Sequence, residues 1–110
     1  MRVTVPIGSL RKQEVVIDFG RKDSDGNGLI AFTSACGPAR PEIALKLLAH
    51  NTKMVHGAFA VQDTPAGQMV VIQANELAET ADPLEVCRLL TAIAWQADKV
   101  EAKLLDEDEN

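Results

Sequence analysis

Aromatic side chains are scarce in this sequence, which has three Phe, one Trp and no Tyr among 110 residues. Aliphatic residues must therefore fill the core. No apolar run approaches the ~20 residues of a membrane span, and no charged-then-apolar leader precedes the domain. There is no stripe of Lys and Arg, so neutralisation of a phosphate backbone is excluded as a mode of binding, and with it nucleic acid and anionic membrane as partners. Internal repeats and low-complexity segments are absent, as is any Gly-rich nucleotide fingerprint. Cysteine is limited to Cys36 and Cys87, far apart in the chain. Two isolated thiols read as buried, reduced side chains, which sets the expected compartment as the cytoplasm.

What is present is the profile of a folded domain, 46% hydrophobic and 25% charged. A chain of this length buries roughly two-thirds of its unfolded surface, enough for one core without metal or disulfide staples. The net charge is -5. The acid excess gathers in Asp106, Glu107, Asp108 and Glu109, so residues 106–110 read as a solvated tail after a single domain at 1–105.

Periodicity divides that domain into elements. Val3, Val5 and Ile7 alternate but are interrupted by Pro6 and Gly8, the pattern of an edge strand or an extended arm. Val15, Ile17 and Phe19 alternate with Glu14, Val16 and Asp18, and Leu29 to Cys36 forms a second β-rich run with Ile30 and Phe32 on one face. The polar segment Gly20 to Gly28 joins the two as a hairpin loop. Gly37, Pro38 and Pro41 stop the strand, and Pro41 opens a helix striped by Ile43, Ala44, Leu47 and Leu48, with Asn51 as its end. Val55, Gly57, Phe59 and Val61 share a face of the next strand. Met69 to Ala74, apolar almost throughout, reads as a central strand, with Asp63, Pro65 and Gly67 as the turn between them. Asp82, Pro83 and Glu85 are an N-cap, a first helical residue and a capping-box acid. Val86, Leu90, Ile93, Ala97, Val100 and Leu104 follow at helical spacing to about Leu105. The predicted fold is α+β, an antiparallel sheet with two main helices in the order β(β)β-α-ββ-α.

The sharpest chemical pattern lies in the first loop. Asp23, Asp25, Asn27, Gly28 and Ile30 match the opening of an EF-hand calcium loop, whose alternate oxygens converge on a hard cation. Ser34 stands where a bidentate Glu is required, and strands flank the loop instead of helices. The same residues make a good turn, because Asp, Asn and Gly tolerate unusual backbone angles. His50 and His56 have no partners at metal-ligand spacing. Cys87 flanks the apolar stripe of the last helix, where a packed thiol is the ordinary outcome, and a catalytic thiol requires a His beside it in space. Nothing is visibly arranged for catalysis, and no cofactor is implied.

Trp95 lies nearly opposite the buried stripe of the last helix. Its neighbours on that outer face are Leu84, Arg88, Thr91, Asp98, Lys99 and Ala102. Leu84, Arg88, Trp95 and Lys99 are candidates for a protein contact, since Trp and Arg dominate interface energies. Alternatively, another element such as the N-terminal arm covers the Trp.

The order from the first helix through two strands to a long last helix resembles the type III secretion chaperones and related YbjN-type bacterial domains. Leu47, Leu48 and Asn51 carry the likeness, with Gly57-Ala58-Phe59-Ala60-Val61, Met69-Val70-Val71-Ile72, and the helix from Asp82 ending in Ala97-Asp98-Lys99-Val100-Glu101. It covers about residues 13 to 105. The resemblance implies a non-enzymatic, often dimeric domain that holds a partner polypeptide on its sheet and helix surfaces. Secretion-class members begin with a client-contacting helix, which Pro6 and Gly8 break here. The expected function is thus non-catalytic protein binding, chaperone-like or regulatory, by a homodimer. The alternative is a small ligand- or calcium-responsive regulator using the 23–28 loop.

Overall fold

A computed structural model describes the backbone of residues 1–109 and the side chains of residues 1–103. The acidic side chains Asp106 to Glu109, the stripe residue Leu104 and all of Asn110 lie outside the described residues. Five strands run in chain order as β1 (Arg2–Ile7), β2 (Arg11–Lys22), β3 (Gly28–Pro38), β4 (Ala58–Thr64) and β5 (Gly67–Leu77). Helix α1 (Pro41–His50) connects β3 to β4, and helix α2 (Pro83–Glu109) closes the chain. The strands form one sheet in the order β1-β2-β3-β5-β4, and every neighbouring pair is antiparallel. The predicted α+β class and element order are therefore present, and the N-terminal segment is an edge strand.

Alternation explains which face is buried. Val15 and Ile17 of β2, Ile30, Phe32 and Cys36 of β3, Phe59 of β4, and Val70 and Ile72 of β5 point to one side. Leu89, Ile93, Ala94 and Ala97 of α2 meet them there, as does Ile7 from β1. Helix α2 starts where the sequence indicates: the Asp82 carboxylate accepts the Glu85 N–H at 2.9 Å.

Five local expectations are corrected. Phe19 is 60% exposed, because the register between β2 and β3 shifts between Asp18 and Arg21 and breaks the alternation before Phe19 is reached. The same extension of β2 shortens the loop to residues 23–27. Gly37 and Pro38 do not stop β3, since an irregularity between Ala35 and Gly37 carries the strand on to Pro38. Val55 is 88% exposed and lies outside β4, which begins only after Gly57 turns the chain at φ 75°. Leu48 also leaves its predicted stripe: only Ile43 of α1 is fully buried, while Leu45 and Leu48 face outward.

The second edge, β4, is partly closed by a side chain. Asn51, just beyond the end of α1, donates from Nδ2 to the Phe59 carbonyl at 3.1 Å and accepts the Phe59 N–H on Oδ1 at 2.7 Å. The amide thus occupies the place of a neighbouring strand at Phe59.

Among the described residues no helix lies across the opposite face of the sheet, although Glu101 of α2 reaches the edge of its concavity. One row across all five strands reads Arg2, Val16, Thr33, Gln73 and Ala58. Ala31 and Val71 on this face are nearly inaccessible even so. Ion pairs Arg2–Glu14 at 2.6 Å and Asp18–Arg21 at 3.6 Å rim it.

Candidate functional site

Helix α2 is long enough that its two sides have separate chemistry. Val86, Leu90 and Val100 are half-buried and Ile93 and Ala97 fully so, which turns the diametrically opposite residues to solvent. Leu84 is 60% exposed and Trp95 50% exposed. Trp95 forms a shallow, mostly apolar surface with Cys87, Arg88, Thr91 and Ala92, and Leu84 lies four residues before Arg88 on the same side of the helix. The N-terminal segment does not cover Trp95; it is committed to the sheet as β1, with the Met1 ammonium donating to the Ile17 carbonyl at 2.9 Å. Lys99 is exposed too, but it stands on the shoulder of α2 that faces α1.

Two residues of the helix differ from expectation. Asp98 is buried, because the sheet side of α2 turns it towards Arg11, whose guanidinium reaches it at 3.2 Å. Cys87 is exposed, since its position falls on the outer flank of the helix and not beside the core.

The buried thiol is unreactive. Burial pushes the Cys36 thiol up to about 12, with the nearby Glu101 charge adding to the effect, so the reactive thiolate is absent at neutral pH. Around Cys36 the polar groups are satisfied by one another. Buried Gln13 donates from Nε2 to Ser34 Oγ at 3.0 Å and to the Ala35 carbonyl at 2.8 Å, and Ser34 Oγ donates to the Glu14 carbonyl. Among the described residues no buried side-chain nitrogen or oxygen lacks a partner.

Glu101 completes this cluster. Partial burial, and then the Asp98 charge, raise its carboxyl above the ordinary value, while hydrogen bonding with Gln13 opposes the shift. A raised folded-state pKa contributes stability that is full below the unfolded value and is lost as pH rises through the folded one. Glu101→Gln removes the charge and keeps a hydrogen-bonding group. It is expected to melt at a higher temperature than wild type at pH 7, with the difference closing towards about pH 4, near the ordinary Glu value. Melting curves across that range check this, and a variant less stable than wild type at pH 7 contradicts it.

In the first loop, the Asp23 carboxylate is already engaged. Its Oδ1 accepts the N–H groups of Asp25 and Asn27, both at 2.9 Å, and its Oδ2 accepts Asn27 Nδ2 at 3.1 Å. The Asn27 bonds, backbone first and then side chain, hold the Asp23 carboxyl below its usual value. The oxygens of Asp23 are thus turned into the loop as a tight turn. No three His, Cys, Asp or Glu side chains converge as metal ligands among the described residues. No described helix is long and apolar enough to cross a membrane.

Comparison with known proteins adds no relative: no family model, no curated protein and no solved structure matches the chain.

Proposed function

We propose that the chain is a non-catalytic, chaperone-like protein-binding domain that acts as a homodimer in the cytoplasm. One observation carries the reading: the only Trp of the chain stands half-exposed on a ridge with Leu84 and Arg88, opposite the face that α2 buries. A solvent-facing Trp is an interface anchor when a cation and small residues accompany it. The ridge is self-complementary. Antiparallel pairing of two α2 helices centred on Thr91 and Ala92 brings Trp95 of one protomer against Arg88 of its partner, and the two-fold axis repeats the contact. The small side chains at the centre permit close helix approach. The sheet face that carries the row Arg2, Val16, Thr33, Gln73 and Ala58, rimmed by ion pairs, stays open to a partner polypeptide in such a dimer. Element order supports the chaperone-like reading, and two free thiols support the reducing compartment.

Sedimentation equilibrium with wild type and Trp95→Ala tests the contact. Wild type is expected to dimerise at micromolar concentration, with Trp95 emission shifting to the blue as it does so. The variant is expected to dissociate at least about tenfold more readily, a loss of roughly 1.4 kcal/mol or more, while keeping its melting temperature as a monomer. Equal association of the two proteins would remove this surface from the reading. A rise in melting temperature with millimolar calcium would instead favour the regulator that uses the 23–28 loop.

A further inference from the structure

The two helices leave a cleft of about 230 Å³ between them, lined by Lys46 and His50 from α1 and by Lys99 and Lys103 from α2. Its apolar side is Ile43, Leu47 and Val100. On each helix the two basic residues are four apart, one turn above the other, and the helices set the pairs face to face. In a chain of net charge -5, three of the eleven Lys and Arg residues therefore gather on one concavity. Among the described residues no carboxylate lines it and none forms an ion pair with these lysines. Like charges one turn apart repel and destabilise a helix. An anion seated between the helices relieves the repulsion between Lys99 and Lys103 and meets Lys46 from the other side.

We infer that this cleft binds a small amphiphilic anion, with a carboxylate or phosphate head between the lysines and a short acyl or aryl body against Ile43, Leu47 and Val100. Apolar lining with a few convergent polar groups is the usual composition of a small-molecule site. The volume falls a little below the roughly 300–1,000 Å³ of drug-sized pockets, which limits the body to a medium chain or one ring. The Lys ammonium is a compact point charge with three rotatable donors, so it accepts either head group. The site is separate from the α2 ridge and stands whether or not the domain dimerises.

Calorimetric titration of the full chain with decanoate, decyl phosphate, decanol and inorganic phosphate tests the inference. Decanoate or decyl phosphate is expected to bind at submillimolar concentration, and the stronger of the two identifies the head group. Decanol, which lacks the charge, and inorganic phosphate, which lacks the tail, are each expected to bind at least tenfold more weakly. Lys46→Gln combined with Lys103→Gln leaves Trp95 and Lys99 untouched and is expected to weaken decanoate or decyl phosphate binding tenfold or more. Raising the salt concentration should weaken the wild-type complex too, a result that depends on no variant. Equal binding of decanol, no loss in the double variant, or no binding of either amphiphile overturns the site. Binding to phosphatidylglycerol vesicles without binding of soluble decanoate or decyl phosphate also overturns it, by making the lysines a membrane-facing patch.

Discussion

Replacing Phe32 by alanine is expected to lower the unfolding free energy by roughly 3–5 kcal/mol. Phe32 sits at the middle of β3 with no accessible surface, flanked in its row by Ile17 and Ala74. It shares the core cluster with Ile93, Ala94 and Ala97 of α2, two of which are as small as a core residue can be. Of the other two Phe residues only Phe59 shares this buried cluster. Partial collapse cannot refill such a hole, so the cost includes a cavity as well as lost burial. Set against a typical total of about 5–15 kcal/mol, the loss brings the domain near its folding limit. Chemical denaturation measures it, with Phe19→Ala as the companion. Phe19 is 60% exposed and should change stability by less than about 0.5 kcal/mol. Similar losses in the two variants would mean that the alternation of β2 runs unbroken and that the register shift after Asp18 is absent.

Gly57→Val is expected to cost roughly 2–4 kcal/mol. Gly57 has φ 75°, a conformation that strains any side chain by about 1–3 kcal/mol and is worst for a β-branched one. Space is also short: a Cβ there would stand 3.0 Å from the backbone carbonyl oxygen of Gln73, which belongs to β5 and cannot step aside. Alanine should lose less, because it adds the Cβ contact without the second branch. Gly26, also at positive φ but with open space around it, is the control, and its alanine variant should show backbone strain alone. If Gly57→Val melts with wild type, the turn into β4 has another conformation.

These two positions also mark what the sequence disclosed. The Asp82–Glu85 cap and the stripe from Val86 to Val100 were legible, because a helix repeats one period and caps it locally. Trp95 could be placed outward for the same reason. Phe19 and Val55 were misplaced because one bulge and one left-handed glycine reset a period of two, and neither leaves a distinctive mark in sequence. Asp98 and Cys87 lie near the boundary between buried and exposed faces. Which way Asp98 falls depends on where Arg11 arrives, a tertiary fact. The lysine cleft was invisible for a deeper reason, since its two halves are some fifty residues apart and become one surface only when α1 and α2 are both laid on the sheet. Asn51 was read as the end of α1, which it is, but its pairing with Phe59 needs the strand beside it.

That pairing couples two elements in time as well as in space. The Phe59 amide can exchange its hydrogen with solvent only when the Asn51 carboxamide lets go, and Asn51 holds its place only while the last turn of α1 is formed. Fraying of the last turn of α1 and exposure of Phe59 at the outer rim of β4 are therefore coupled. The same latch decides how much of the chain a neighbouring molecule meets during such an opening. While it is closed, the rim offers only the short stretch from Val61 to Asp63, ending in a charge; when it opens, the run Ala58-Phe59-Ala60-Val61 becomes a free template for intermolecular strand pairing. The helix end thus acts as a gatekeeper against self-assembly.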